Sequence, residues 1–267
     1  MRSHKILRMT MSVLGAAVLF LIAGVVCIPV VLTVVSSLKS GWELKESLIP
    51  ILSGGGGSTE VLTLPSYPTL SHFWELLFTT PGFLVVFWNS VKMVLLILCG
   101  QLFVALPAGW AFATYHFRGK HILLTLYVIL MLMPFQVTML PSYLVIEQMG
   151  MMNTQASVIL PAVFSTFPVF IIYRGFMAVP PEVIEAAKVD GAGEFMILLR
   201  IGIPLGRSGI LSALVLGFLE YWNMIEQPLA FLKDQSLWPV SLYLPEIKPE
   251  QAGISLAASV VILIPAV

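Results

Sequence analysis

Charged residues are spaced very unevenly along this chain. Thirty residues without a charge lie between Arg8 and Lys39, twenty-five from Met93 to Phe117, twenty-five from Ile122 to Ile146, and twenty-six from Gln148 to Tyr173. A helix rising about 1.5 Å per residue crosses a hydrocarbon core of roughly 30 Å in about 20 residues, so each run suffices for one span. A fifth run starts after Arg207 and reaches about Leu229, carrying Glu220 and Glu226; a sixth begins near Ala252 and is still apolar at Val267. Sixteen residues reach only about 24 Å, so the last helix and a C-terminal tail are expected to be incomplete. The pattern predicts an all-α membrane protein of six transmembrane helices. One membrane domain covers residues 1–267, with helices at about 9–38, 83–115, 122–143, 155–175, 207–229 and 252–267.

Composition agrees. The chain is 58% hydrophobic and 10% charged, with a mean hydropathy of +0.95. Soluble domains carry about 25% charged residues, so this chain has too little polar surface to cover a soluble globule. The first run follows a basic start, "MRSHKILRM", but is about twice as long as the 7–15 residues of a signal-peptide core, and so reads as a retained helix. With alternating helices and the N-terminus inside, nine basic residues fall on the inner side: Arg2, Lys5, Arg8, Arg118, Lys120, Arg174, Lys188, Arg200 and Arg207. Four fall outside (Lys39, Lys45, Lys233 and Lys248), and Lys92 lies within a span. The excess puts the N-terminus in the cytoplasm. The long outer segment, Ser40 to about Gly82, holds a flexible tip, "SGGGGS" at Ser53–Ser58, and a short interfacial helix within "LPSYPTLSHFWELL".

The search for chemistry is mostly negative. Cys27 and Cys99 lie in apolar runs without metal or disulfide spacing, and read as buried free thiols. His4, His72, His116 and His121 have no metalloprotease spacing, and no P-loop, nucleophile elbow or dinucleotide fingerprint is present. The chain is expected not to be an enzyme, to bind no cofactor or metal, and to have no nucleic-acid partner. Energy for any uphill transport must come from elsewhere.

One polar island interrupts the apolar pattern. "VPPEVIEAAKVDGAGEFMILLRIGIPLGRSG", Val179 to Gly209, holds four of the fourteen acidic and three of the fourteen basic residues. Pro180 and Pro181 end the fourth span, and Pro181 suits the first turn of a new helix. Glu182 meets the positive end of that helix, and Asp190-Gly191 ends it near Val189. Ala186 and Ala187 keep it thin enough for another backbone to come close; Val183 and Ala187 share a face, with Ile184 beside them. A second short helix, about Gly193 to Arg200, leads into the fifth span. The reading is a rigid helix at 181–189, between helices 4 and 5, shaped for a partner's groove; an amphipathic connector is the plainer alternative.

Glu185-Ala186-Ala187, three residues, Gly191, nine residues, Ile201, one residue, Ile203-Pro204 resembles the EAA motif of ABC importer permeases, with Ile203 in place of the usual Leu. "FWNSVKM" (Phe87–Met93), "YHFRGKHILL" (Tyr115–Leu124), "MLMPFQVTMLPSYLV" (Met131–Val145), "MGMMNT" (Met149–Thr154) and "EYWN" (Glu220–Asn223) resemble the carbohydrate-uptake branch, akin to maltose and glycerol-3-phosphate permeases. The resemblance implies that the island is a coupling helix seated on a cytoplasmic ATPase dimer through Glu182, Glu185, Ala186, Ala187, Asp190, Gly191, Ile201 and Pro204. It also implies a second permease subunit, an extracytoplasmic solute-binding protein, and a place in the bacterial inner membrane. ATP and magnesium then belong to the partner ATPase. Sugar or oligosaccharide is the implied substrate, with glycerol-3-phosphate as the alternative. Members of the family complete helix six and add a short tail, which this sequence lacks.

Ionisable residues inside spans usually face a cavity or a partner. Glu220, with Tyr221, Trp222 and Asn223, is a candidate lining for a substrate path, since sugars stack on aromatics and bond to carboxylates and amides. Lys92 and Glu226 read as headgroup-level residues, and Trp222 has an interfacial anchor as its plainer role. Broken helices can line sites, and the prolines at Met133-Pro134 and Leu140-Pro141 are expected to break helix three. A secondary carrier using Lys92 and Glu220 is the rival reading, and it lacks a repeated second half.

Overall fold

The computed structural model describes residues 2–52, 64–243 and 251–266, and no strand occurs among them. The Ser53–Ser58 tip and Lys248 lie outside the described residues. The chain divides into two compact units, Met1–Phe83 with Leu244–Val267, and Leu84–Tyr243.

In the first unit α1 (Arg2–Ser37) is followed by α2 (Gly41–Leu52). At the start of α2 the Glu43 carboxylate reaches back to Ser40, accepting from its backbone N–H and from its hydroxyl, both at 3.0 Å. The same carboxylate accepts from the Ser66 N–H at 2.9 Å, fastening the distant chain to the start of α2. The short helix α3 (Ser71–Trp74) continues into a π turn, Glu75–Thr79. The segment Leu14–Ser37 is long and apolar enough to span, and most of its residues lie exposed. Cys27 shares that exposed surface; in the second unit Cys99 is exposed as well, and both are free. The expectation of buried thiols fails because apolar runs in a membrane chain face lipid as readily as a core.

The second unit begins within α4 (Pro81–Thr114), 34 residues long. It continues with α5 (Lys120–Leu132) and α6 (Phe135–Gln148), which meet at 100°. Met133 is extended, at ψ 125°, because the following proline disfavours helix at its neighbour, and Pro134 then opens α6. Thus Pro134 makes the break, while Pro141 stays inside a continuous helix. Next come α7 (Gln155–Val163), α8 (Thr166–Phe176), α9 (Pro181–Val189) and α10 (Glu194–Leu205), the last bent 74° from α11 (Arg207–Trp222).

The fifth span was expected to run to 229, yet α11 ends at Trp222 and a separate α12 spans Glu226–Phe231. Pro228 gives the reason. It has no N–H for the Met224 carbonyl, and its ring clashes with that turn, whereas in the first turn of a new helix it is tolerated. The Ser241 hydroxyl donates to the freed Met224 carbonyl instead. The first-unit helix α13 (Ala252–Leu263) ends in a 3-10 turn, Ile264–Ala266. Among the described residues three segments are long and apolar enough to cross a membrane alone: Leu14–Ser37, Pro81–Thr114 and Gln155–Phe176. Counting each bent pair as one span gives five, with Ala252–Ala266 a shorter apolar helix.

Packing in the second unit turns on small residues and buried amides. A Cβ on Gly209 would lie 2.6 Å from the Gly175 Cα, so α8 and α11 cross backbone to backbone. Beside this crossing Trp110, Phe176, Ile172, Ile184, Ile197 and Ile210 form one buried cluster. Trp110 and Phe176 meet edge to face, with centroids 5.2 Å apart. Gln101, buried on α4, donates to the Ala162 carbonyl at 2.8 Å and to the Tyr221 hydroxyl oxygen at 2.9 Å, tying α4, α7 and α11 together.

At the end of this unit opposite the island, the chain after α12 is pinned as far as Tyr243. Asn153 sits at φ 58° and accepts from the Lys233 and Asp234 N–H groups at 2.9 and 2.8 Å. Asn89 donates to the Ser236 carbonyl at 2.7 Å, and Ser90 accepts from the Val240 N–H at 2.7 Å. Asn is among the few non-glycine residues that visit the left-handed region readily.

Gly209→Ala should therefore lower the melting temperature of the purified transporter and the yield of assembled complex, since overpacking of this kind costs about 1–3 kcal/mol. Gly82→Ala, whose Cβ meets nothing within 4 Å, is the control and should be neutral or slightly stabilising. Equal melting temperatures for the two variants would mean that the crossing can open without cost.

Candidate functional site

The polar island folds as two short helices on the buried cluster. Pro180 is extended and Pro181 opens α9, with Glu182 in its first turn and Lys188 in its last, both favourable to the helix dipole. At the other end Gly191 adopts φ 81°. Its N–H donates to the Lys188 carbonyl and the Ala192 N–H to the Ala187 carbonyl, both at 3.0 Å. This pair of bonds is a Schellman cap, and it explains the spacing of the motif: glycine belongs four residues after Ala187 because that position must be left-handed.

The inward face differs slightly from the expected one. Ile184 is buried and Ala187 half-buried against the cluster, whereas Val183 is exposed. The i, i+3 pair Ile184/Ala187 packs into the cluster that holds Ile197, whereas of the i, i+4 pair Val183/Ala187 only Ala187 does. Glu182, Glu185, Ala186, Asp190 and Gly191 all lie exposed, next to Val189 at 87% and Phe195 at 73% exposure. The outer face is thus acidic with apolar residues interleaved.

Ile201 and Pro204 sit apart from that face. Ile201 is half-buried in a π turn, Leu198–Gly202, and packs on the cluster; Pro204 is exposed. Pro204 cannot donate to the Arg200 carbonyl, and the ladder widens just before it, with the Ile203 N–H reaching the Leu198 carbonyl. Gly202 lies against the Trp110 ring, 2.6 Å from where its Cβ would be. These residues shape the island's return into α11.

A polar staple, invisible in the sequence pattern, crosses the Gly191 turn. Lys188 Nζ lies 2.7 Å from Glu194 Oε1, and the Tyr115 hydroxyl donates to Glu194 Oε2 at 2.8 Å. Lys188 Nζ also sits over the Tyr115 ring, 5.9 Å from its centroid. Tyr115 follows the end of α4, and its carbonyl accepts from Lys120 Nζ at 3.1 Å. Hydrogen bonds from Lys188 and then from Tyr115 hold the Glu194 carboxyl below its usual range. Burial, then Glu194, pushes the Tyr115 hydroxyl above its usual value, so it remains a donor at neutral pH.

The four candidate path residues separate. Trp222 is 2% exposed, stacked on Phe218 and edge-on to Phe87. Tyr221 is buried and accepts from Gln101. Both therefore serve the core, because their rings supply the apolar bulk that α4 and α11 pack upon. Glu220 and Asn223 are exposed, and the Asn223 amide donates back to the Leu219 carbonyl at 2.9 Å. No ion pair joins Glu220 to the exposed Lys92. Glu226 is exposed at the start of α12, accepting from the Gln136 amide at 3.2 Å. Among the described residues no group of three His, Cys, Asp or Glu is placed to hold a metal ion.

Among the described residues the chain is helical without strands, and several of its helices are apolar enough to make it a multi-pass membrane protein. Residues 105–265 match the family described as binding-protein-dependent transport system inner membrane component, and the chain belongs to that family, as a permease subunit of a binding-protein-dependent ABC importer. It is not itself an enzyme; in this class of transporter ATP is hydrolysed on a separate subunit. It is 28% identical to the arabinooligosaccharides transport system permease protein of Halalkalibacterium halodurans, over 92% of this chain and 86% of that one. To the lactose transport system permease protein of Rhizobium radiobacter it is 32% identical, over 59% and 58% of the two chains. The sn-glycerol-3-phosphate transport system permease protein of Brucella abortus is 29% identical, over 56% and 53%. Its fold matches a chain of a bacterial ABC transporter involved in the import of the acidic polysaccharide alginate, with a TM-score of 0.79 over 95% of this chain and 91% of that one, at 18% identity.

The staple carries a pH signature. A carboxyl held below its usual range stabilises the fold above that range and loses its contribution as pH falls through its lowered pKa. In the purified complex, Glu194→Gln should lower the melting temperature at neutral pH. The gap from wild type should shrink as pH drops below the ordinary glutamate value of about 4.3. A gap that stays constant down to acid pH would mean that the Glu194 charge does not hold the staple.

Proposed function

We propose that this chain forms half of the translocation path of an importer for a sugar or oligosaccharide, and that α9 is its coupling helix. The observation that carries the reading is the Schellman-capped helix with Glu182, Glu185 and Ala186 exposed on its outer face. A rigid, thin, acidic helix suits a groove with basic groups on a cytoplasmic ATPase, while Gly191, Ile201 and Pro204 keep its shape and exit.

In this reading six spans cross the membrane. The N-terminus is cytoplasmic, in line with the nine inner basic residues, and α9 lies between spans four and five. A second permease subunit completes the pore, two ATPase subunits hold ATP and magnesium, and an extracytoplasmic solute-binding protein delivers substrate. ATP favours the closed ATPase dimer, which draws the coupling helices together and shifts the pore from inward-open to outward-open. This chain binds no cofactor.

Glu220 and Asn223 line the path, with Tyr221 and Trp222 supporting them from the core. A carboxylate facing hydrocarbon at mid-depth costs about 2.5–3.5 kcal/mol, so an exposed one on a span turns to water or to a partner. Sugar is supported by the arabinooligosaccharide and lactose permeases among the relatives. The glycerol-3-phosphate permeases support the second reading. Binding assays on the solute-binding protein separate the two.

Glu185→Lys should reduce co-purification of the ATPase and abolish most uptake while the permease keeps its fold. Wild-type ATPase yield together with normal uptake would sink the docking role. Glu220→Gln should weaken uptake with the complex assembling at wild-type yield. Lost assembly would instead mean that Glu220 is buried against a partner, since stranding one member of a buried charged pair costs about 3–5 kcal/mol.

A further inference from the structure

We propose that Tyr115 is a positioning residue for transport, fastening the end of α4 to both arms of the coupling segment through the Lys188–Glu194 pair. The inference rests on α9 being the coupling helix.

Lys188 belongs to α9 and Glu194 to α10, on opposite sides of the Gly191 turn. Their 2.7 Å contact closes that turn, and the 2.8 Å bond from Tyr115 ties the closed turn to α4. The loop that carries Tyr115 is itself held, by Lys120 Nζ on the Tyr115 carbonyl and by Phe117 against Phe112. Apolar contacts such as Trp110 on Gly202 join α4 to the far end of α10, but a rotation of α9 alone about Gly191 would leave those intact. The staple is the polar link that such a rotation must break. It makes α9, α10 and α4 move as one body, so displacement at the ATPase reaches the pore helix undiminished.

Spin labels at His116, beside Tyr115, and at Val189, the last residue of α9, test this in the complete transporter. Both positions are exposed, Val189 at 87%. In the otherwise unmodified protein the distance between them should be narrow, and the same with no nucleotide and after trapping with magnesium, ATP and vanadate. Tyr115→Phe should weaken the closed staple about three- to tenfold, the range of one hydrogen bond to a charged group at an exposed site. The distances should then broaden and differ between the two nucleotide states. Glu194→Gln should do the same, and the double variant should be no worse than Glu194→Gln alone.

A narrow distance in Tyr115→Phe that does not change with nucleotide state would overturn the proposal, as would additive effects of the two substitutions. Failure of the coupling-helix reading is seen separately. The ATPase would then co-purify with Glu185→Lys at wild-type yield, while the nucleotide-free distances would still report whether the staple holds.

Discussion

Helices α8 and α11 approach so closely at Gly175 and Gly209 that a methyl group on either would lie within the other's backbone. α8 leads into the polar island and α11 leads out of it. Their crossing brings the two ends of the island together, and the chain between them must fold back on itself in little space. Pro180–Pro181, the Gly191 cap, the π turn and the bend before α11 are the local means of doing so. Helix association in a membrane gains nothing from hiding apolar surface that lipid would cover equally well, so close packing of small residues carries the contact.

The same reasoning accounts for the buried polar groups. Gln101 spends its amide on two acceptors from two other helices, and Asn89 and Ser90 take backbone groups of the segment after α12. Each supplies a bond that water cannot supply in the interior. The breaks at Pro134 and before Pro228 free backbone groups, and side chains nearby take some of them up, as Ser241 does for Met224. Proline placement and polar placement are therefore parts of one solution.

For the permease role, the island joins two kinds of contact. Ile184 and Ala187 bind α9 to the apolar cluster, whereas Lys188, Glu194 and Tyr115 bind it at the rim. Apolar packing fixes where the helix sits and resists its removal. The rim staple is directional and resists rotation. An element that receives force from a motor subunit needs both.

The sequence alone determined the membrane class, because run length and scarcity of charge follow directly from the thickness and solvent properties of a bilayer. It also determined the island's helix and its glycine stop, since proline, the helix dipole and the left-handed cap act over neighbouring residues. The end of the fifth span was legible too, in Pro228, but the apolar run masked it. Tertiary structure alone decided which candidates share a face. Tyr221 and Trp222 went to the core while Glu220 stayed exposed, a choice set by the rotation of α11 against α4. Tyr115, far from Glu194 in sequence, met it only because the α8–α11 crossing returned the chain to the end of α4. Local rules propagate along one helix; which side of it finds a neighbour depends on all the others.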